Sequence, residues 1–218
     1  KEHADSIKKG IAKNRLSKIN VLNKILSNKI NDVLIAEELT IELEKFNSIK
    51  KNKNKDILLD DLSRIENEKK YYIDKSVTLD KLFQSDFPNI LKIDVHGAEG
   101  LVLDGADKLL KDHVKCIILE LHADDYLKRY SPSFDKIKII TNLIEKDFNC
   151  YYISDNNTLD FKKSDYIKGI SIYNNEIRLK YLKISLQNLR DIFFGREKEE
   201  QFIFCLKKEI DINKMKCF

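Results

Sequence analysis

The chain has few residues that interrupt helices and strands, and it lacks the marks of several specialised protein classes. Its 218 residues include six glycines, two prolines and no tryptophan. This composition excludes collagen-like proteins and flexible chains rich in glycine and proline. No apolar run approaches the roughly 20 residues of a membrane-spanning helix, so we predict no membrane span. The 42% hydrophobic and 35% charged residues are typical of a folded chain, either one domain with an appendage or two small domains.

Paired cysteines and a strong excess of one charge are also missing. The four cysteines, Cys116, Cys150, Cys205 and Cys217, are widely spaced and form no C-x-x-C pair. We therefore predict free thiols and a cytoplasmic protein, not a disulfide framework or a zinc site. The net charge of +4 arises from 40 basic and 36 acidic residues. This near balance argues against nucleic acid as a partner.

The first third of the chain has the periodicity of helices. Apolar residues at spacings of three and four between Ile19 and Val33 predict an amphipathic helix, and a second stripe runs from Leu39 to Phe46. The basic run 50–55 is typical of a linker or an exposed turn, and residues 57–65 predict one further short helix. We assign residues 1–70 to a helical N-terminal segment.

From Tyr71 onwards short apolar runs alternate with amphipathic segments, as in an α/β domain. Predicted strands cover 71–73, 90–95, 115–121, 149–154 and 201–207, and predicted helices cover 98–110 and 133–146. Ser76 or Thr78, and later Ser133, are candidate helix caps. The alternation predicts a mostly parallel sheet with right-handed crossovers. The polar excursion 155–200 separates the last two strands, which we expect to form an antiparallel hairpin at the sheet edge.

Two of the predicted strands end in the same pattern of ionisable residues. The first runs into Asp94-Val-His-Gly-Ala-Glu99, and the second ends in Glu120-Leu-His122. Residues two apart on a strand point to the same face, and the ends of neighbouring strands lie about 5 Å apart. Open α/β sheets bind their ligands at this carboxyl edge. We therefore expect the acids and histidines of both strand ends to converge on one site.

Several short motifs, in a fixed order, resemble those of a known family. They are Thr78-Leu-Asp80, Leu91-Lys-Ile-Asp-Val-His-Gly-Ala-Glu99, Leu103-Asp-Gly-Ala106 and Ile118-Leu-Glu120. Through them the second two-thirds of the chain is similar to the FkbM family of methyltransferases. For residues 71–218 the resemblance implies a Rossmann-like class I fold: a mostly parallel sheet, helices on both faces and an antiparallel terminal strand. It also implies S-adenosylmethionine as cofactor, and O-methylation of a sugar, polysaccharide or related small-molecule acceptor.

The resemblance, together with the chemistry of methyl transfer, suggests roles for individual residues. An acceptor hydroxyl must be positioned and must lose its proton, and histidine is the usual base near neutral pH. We expect His96 or His122 to act as the base, with Asp94 or Glu120 orienting the imidazole or the hydroxyl. The candidate substrate-binding residues are Lys92, Gly97 and Glu99.

Two departures from the family pattern bear on activity. The family has an acid where this chain has His96. The glycine-rich cofactor loop of the family is also not found, because Gly10 is the only glycine in residues 1–75. The cofactor-binding residues are therefore unassigned. Three explanations stay open: a fragment whose cofactor loop lies upstream, which the missing initial methionine favours; a degenerate relic without activity; or a helical module fused to half a sheet.

Two other functions are compatible with the sequence. The side chains of Asp94, His96, Glu120 and His122 supply two carboxylates and two imidazoles, which are adequate ligands for Zn, Mn or Fe, so a metal-dependent enzyme is one alternative. A binding or scaffold module is the other, with the stripe from Ile19 to Val33 packing on a partner helix. An open sheet edge would need a cover, either the N-terminal helices or a second copy in a homo-oligomer.

Overall fold

A computed structural model describes residues 2–36, 39–52, 56–68, 70–130, 132–154, 167–172 and 177–211. The strands are β1 (Ile25–Leu26), β2 (Asp32–Ala36), β3 (Thr40–Glu42), β4 (Tyr71–Val77), β5 (Ile90–Ile93), β6 (Cys116–Leu121), β7 (Phe148–Ser154), β8 (Ile167–Ile172), β9 (Ile177–Ile184) and β10 (Gln201–Lys207). The helices are α1 (Glu2–Lys13), α2 (Leu43–Lys51), α3 (Asp56–Glu68), α4 (Leu79–Leu82), α5 (Glu99–Asp104), α6 (Asp107–Asp112), α7 (Asp124–Tyr130), α8 (Lys136–Glu145) and α9 (Leu189–Phe193). No helix within the described ranges has the length and apolar character to cross a membrane. Cys217, residues 53–55 of the basic run and residues 155–166 and 173–176 of the polar excursion lie outside these ranges.

The N-terminal third differs from the helical segment that its periodicity predicts. Residues 19–33 form loops, β1 and the start of β2, so the helix predicted there is wrong. Ile19 and Ile30 of the apolar stripe are 52% and 56% exposed, whereas the sequence neighbours Val33 and Leu34 are both buried. Antiparallel pairing of β2 with β4, which lies more than 30 residues later, buries them. This tertiary pairing overrides the local helical spacing.

Strands β1 to β4 form a small sheet in the order β1-β4-β2-β3. β2 is antiparallel to β3 and β4, and β1 is parallel to β4. Helices α2 and α3 pack on it through a shared apolar cluster of Leu34, Leu39, Ile41, Phe46, Ile49, Leu62 and Ile65. Helix α3 confirms the helix predicted over 57–65, and β4 confirms and extends the strand predicted over 71–73. The small sheet therefore joins residues from both sides of the predicted boundary at residue 70.

The other six described strands form a large sheet in the order β5-β6-β10-β7-β9-β8. β5 and β6 pair in parallel, and the other four pairings are antiparallel. The predicted antiparallel last strand is confirmed, but β10 lies between β6 and β7 and not at the sheet edge. The sheet is therefore mixed, and the prediction of a mostly parallel sheet is wrong. β10 lies between β6 and β7, and β8 and β9 are formed by the segment that was predicted to be a polar excursion.

One face of the large sheet carries the main apolar core. The register aligns a buried row across five strands, formed by Leu91, Ile117, Cys205, Cys150 and Ile184. Helices α4 to α9 contribute side chains to the same core. On the opposite face Ile90, Ile118 and Phe202 are 63%, 39% and 51% exposed. Within the described residues, helices therefore pack on one face of the large sheet, whereas the resemblance implies helices on both faces.

Two helix starts test the predicted caps. The Thr78 side chain caps α4, because its oxygen accepts a hydrogen bond from the N–H of Lys81 at 3.1 Å, as predicted. The cap of α8 is Asp135 and not Ser133, because the carboxylate of Asp135 accepts from the N–H of Lys138 at 2.7 Å. An ionised carboxylate at a helix N-terminus also interacts favourably with the helix dipole.

The single helix predicted over 98–110 is two helices, α5 and α6, which meet at Gly105. A side chain at Gly105 would collide with the backbone of Ser27, so glycine lets the junction approach the loop that follows β1. Asp80, which lies far from α6 in the sequence, caps this helix. Its carboxylate accepts hydrogen bonds from the N–H groups of residues 108–109, both at 3.0 Å. These contacts give structural roles to two of the motifs that carry the family resemblance.

Candidate functional site

The candidate site lies at the edge of the large sheet where β5 and β6 end. These neighbouring strands are parallel, so their carboxyl ends meet at one edge, where open α/β sheets bind ligands. β10 runs antiparallel beside β6 and pairs Gln201 with Leu121. Its first residues therefore reach the same edge and bring Glu200 towards the side chains that follow β5 and β6.

A buried carboxylate–imidazole pair forms the centre of the site. Oε1 of Glu99 lies 2.7 Å from Nδ1 of His122, and the two side chains are 0% and 3% exposed. Glu99 is the first residue of α5, where the helix dipole favours a carboxylate. Because Nδ1 faces a carboxylate, we assign its proton there and leave the lone pair on Nε2. That Nε2 lies 3.8 Å from Oε1 of Glu200.

The turn between β5 and α5 holds Glu99 in place. His96 and Gly97 have φ angles of 51° and 103°, a region that glycine adopts freely and histidine rarely. The N–H of Gly97 donates to Oε1 of Glu99 at 3.0 Å. A Cβ on Gly97 would lie 2.7 Å from the backbone oxygen of Tyr126, so glycine is needed for α7 to pack this closely. The turn thus fixes the buried carboxylate and directs His96 outwards.

Asp94 and His96 form the solvent-facing rim of the site. Nζ of Lys92 donates to Oδ2 of Asp94 at 3.0 Å. This hydrogen bond holds the pKa of Asp94 below its usual value; burial opposes the shift, while the charges of Lys92 and the two nearby imidazoles add to it. The other oxygen, Oδ1, lies 3.9 Å from Nε2 of His96, whose side chain is 76% exposed. The rings of His96 and His122 are 4.8 Å apart.

Two overlapping groups of possible ligand atoms share His122. One contains Asp94, His96 and His122, and the other contains Glu120, His122 and Glu200; the ligand atoms of each group lie within 4.8 Å of one another. The predicted convergence of Asp94, His96 and His122 is confirmed, whereas Glu120 joins His122 in the second group. His122 belongs to both groups because β6, which it follows, lies between β5 and β10.

The predicted substrate-binding residues have three different surroundings. Lys92 is 64% exposed and is bonded to Asp94, so it stays a candidate. The N–H of Gly97 is used by Glu99, and its open side is filled by the backbone of Tyr126. Glu99 is fully buried, so a ligand would have to displace it before touching it. The contacts of Gly97 and Glu99 are therefore made within the chain, and those of Lys92 leave it exposed to solvent.

Sequence reasoning missed Glu200 and Lys136. Glu200 belongs to a polar stretch without any motif, but the predicted antiparallel last strand was a usable signal, because its first residues must lie at the carboxyl edge. Lys136 is 1% exposed. Its Nζ donates to the backbone oxygen of Arg196 at 2.7 Å and to that of Glu199, which fixes the segment before Glu200. Burial lowers the pKa of Lys136, and no local pattern separates it from exposed lysines.

The resemblance implies S-adenosylmethionine, and the expected binding site for this cofactor is a glycine-rich turn between a strand and a helix. Before β4 the described residues contain one glycine, Gly10, and it lies inside helix α1. Gly97 does lie between a strand and a helix, but its N–H and its open side are both occupied. The described residues therefore contain no glycine-rich turn of this kind, and the cofactor-binding residues remain unassigned.

A large cleft with a mixed apolar and charged lining lies between α2 and α7. Its volume is about 1190 Å³, and its lining includes Lys45, Asp125, Lys128 and Arg129. Nζ of Lys45 crosses from α2 to donate to the backbone oxygen of Tyr130 at 2.6 Å, so the small and large sheets are tied together here. The lining does not include the ionisable cluster at the ends of β5 and β6.

The chain was compared with protein-family models, with curated proteins and with solved structures. The model of a family described as the methyltransferase FkbM domain matches residues 8–150. The match contains the motifs of β5 and β6, the second half of α1 and the small sheet, and it ends before β10. No curated protein and no solved structure matches the chain. The resemblance read from the short motifs is thereby confirmed.

Proposed function

Because the chain belongs to the family of the methyltransferase FkbM domain, we propose that it uses S-adenosylmethionine to methylate a hydroxyl group. The proposed acceptor is a sugar, a polysaccharide or a related small metabolite. A Rossmann-like arrangement, with the acceptor at the carboxyl ends of β5 and β6, belongs to the same proposal. The methyl donor rests on family membership alone, because no cofactor-binding residue is assigned among the described residues.

The observation that carries the proposal is the buried pair of Glu99 and His122. A histidine whose Nδ1–H is donated to a carboxylate has its tautomer and orientation fixed, with Nε2 free to accept a proton. The distance of 2.7 Å and the burial of both side chains supply this arrangement. When His122 takes the proton of an acceptor hydroxyl, the neighbouring carboxylate stabilises the imidazolium that results.

The rim around His122 supports a polar acceptor. Asp94, His96 and Glu200 have side chains that are 32%, 76% and 58% exposed. Their oxygens and nitrogens suit the several hydroxyls of a sugar. An apolar acceptor would remove water from these groups without replacing its hydrogen bonds, at a cost of about 1–3 kcal/mol for each group.

The donor half of the proposal has a direct test. Calorimetric titration of the full-length protein with S-adenosylmethionine is expected to give saturable binding of one molecule per chain. A full-length protein that binds none would contradict the proposed function, whatever the state of the acceptor site.

The acceptor half is tested by Asp94→Asn in the full-length protein. Transfer of labelled methyl groups to a panel of sugars and polysaccharides is expected to fall at least about 10-fold, while S-adenosylmethionine binding stays unchanged. Asp112→Asn is the matched control, because Asp112 is exposed at the end of α6, next to the opposite edge of the sheet. Equal transfer by the wild type and Asp94→Asn would remove Asp94 from the proposed site.

A further inference from the structure

We propose that Asp94, His96 and His122 bind one divalent transition-metal ion. The possible ligand atoms of these side chains all lie within 4.8 Å of one another. Two ligand atoms bound to the same ion at about 2.1 Å are separated by about 3–4 Å. Small rotations of the exposed side chains of Asp94 and His96 would therefore complete the site around the fixed His122.

Each of the three side chains retains a free ligand atom. His122 retains Nε2, because Nδ1 is bonded to Glu99. Asp94 retains Oδ1, because Oδ2 accepts the hydrogen bond of Lys92. That Oδ1 lies 3.9 Å from Nε2 of His96. An ion between these atoms would meet two imidazole nitrogens and one carboxylate oxygen.

The carboxylate behind His122 distinguishes this group from a chance meeting of surface side chains. Metal-binding histidines commonly donate their second ring N–H to a carboxylate, which fixes the ring and raises its basicity. Glu99 stands in this position, with its side chain 0% exposed. The positive φ of His96, at 51°, is a second sign that the backbone holds a particular side-chain direction here.

The donor set indicates the class of ion. Two imidazoles and one carboxylate suit Zn²⁺, Mn²⁺ and Fe²⁺, whereas Mg²⁺ and Ca²⁺ prefer oxygen ligands throughout. Three protein ligands leave a position open for water or for a hydroxyl. Oε1 of Glu200, which is 3.8 Å from Nε2 of His122, lies beside this position as a proton acceptor.

The ion would change how the proposed acceptor is activated. With a metal bound, Nε2 of His122 would be a ligand and not the base; a hydroxyl in the open position would ionise more readily because the ion stabilises its anion, and its proton would pass to the exposed carboxylate of Glu200 or to water. This consequence rests on the proposed methyltransferase function. Binding of the ion itself does not depend on the proposed function.

Titration of metal-free, full-length protein with Zn²⁺, followed by calorimetry, tests the site. We expect one ion per chain, and an affinity at least about 10-fold weaker in Asp94→Asn and in His96→Gln. Both changes are made at the solvent-facing rim, so they are not expected to unfold the chain. Asp112→Asn and His113→Gln, near the start of β6, are the matched controls and should bind Zn²⁺ as the wild type does.

Co²⁺ in place of Zn²⁺ reports the ligands by absorption, because thiolate ligands give an intense charge-transfer band that imidazole and carboxylate do not. A spectrum without this band is expected. A thiolate band, or an unchanged Zn²⁺ affinity in the double variant Asp94→Asn, His96→Gln, would overturn the site. Intact Zn²⁺ binding without any methyl transfer would support the metal site and contradict the proposed function only.

Discussion

Nδ1 of His122 lies 2.7 Å from Oε1 of Glu99, although 23 residues separate them in the sequence. The contact links the turn after β5 to the end of β6, so it joins the two strand-end patterns into one site. Oε2 of Glu99 is buried and has no hydrogen-bond partner among the described residues. A buried carboxylate with one unpartnered oxygen costs stability, which is typical of a residue retained for a functional arrangement.

The first prediction concerns this pair. Glu99→Gln keeps the shape of the side chain but removes the charge that stabilises and orients His122. We expect the rate of methyl transfer by the full-length protein to fall about 10- to 100-fold, with S-adenosylmethionine binding unchanged. Glu145→Gln, at an exposed position in α8, is the control and should keep the wild-type rate. A wild-type rate in Glu99→Gln would show that the pair is structural.

The second prediction concerns the turn at Gly97. Gly195 also has a positive φ, 73°, but a Cβ there meets nothing within 4 Å, whereas at Gly97 it meets the backbone of Tyr126. Gly195→Ala is expected to cost about 1–2 kcal/mol of unfolding free energy from the backbone alone. Gly97→Ala should cost about 1–3 kcal/mol more, because α7 must move. Urea denaturation measures both, and equal losses would contradict the close approach of α7.

The third prediction concerns the buried amine of Lys136. Lys136→Met removes the donor that satisfies the backbone oxygens of Arg196 and Glu199. We expect a loss of about 1–3 kcal/mol in unfolding free energy. Lys138→Met, two residues later and exposed, should change stability by less than about 0.5 kcal/mol. If both substitutions have the same small effect, Lys136 does not hold the segment before Glu200.

The fourth prediction concerns pH and the buried thiols. Cys116, Cys150 and Cys205 are free and buried, and Sγ of Cys205 lies 3.2 Å from Sγ of Cys150. Burial raises the pKa of Cys116 to about 11, from an ordinary value of 9.0, and also raises the pKa of Cys205. Above about pH 9 the unfolded chain therefore loses these protons first, and the free energy of unfolding falls as the pH rises.

Denaturation at about pH 8 and about pH 10 measures this loss. In Cys116→Ala one of the shifted groups is absent, so the difference between the two pH values should be smaller than in the wild type. A difference as large as that of the wild type would mean that Cys116 does not contribute.

The sequence predicted the half of the fold in which local and tertiary preferences agree. β5, β6, β7 and β10 are short apolar runs whose burial does not depend on a particular partner, and all four were placed within a few residues. The convergence of Asp94, His96 and His122 followed from two parallel neighbours ending at one edge. The pair of Glu99 and His122 was not predicted, because it depends on the positive φ angles of a turn and not on spacing.

The small sheet was missed for a different reason. β1 has two residues and β2 has five, and their burial comes from pairing with residues of β4 that lie about 35 to 51 positions later. The residues around β1 and β2 in the sequence do not indicate this long-range pairing. It does contain an apolar spacing that fits a helix, and this led to the wrong assignment of residues 19–33. Glu200 was missed for a similar reason, because its position depends on where β10 enters the large sheet.

The central position of β10 also determines how late in synthesis the large sheet can be completed. β6 and β7 are synthesised first, yet each obtains a shared partner only when residues 201–207 leave the ribosome. Synthesis adds about 5–20 residues per second, so for a few seconds both strands present unpaired edges on which nascent chains aggregate. Glu200 arrives with the same segment. Assembly of the sheet and completion of the site are therefore expected to be a single late event, because a chain truncated before β10 lacks both the shared partner of β6 and β7 and Glu200.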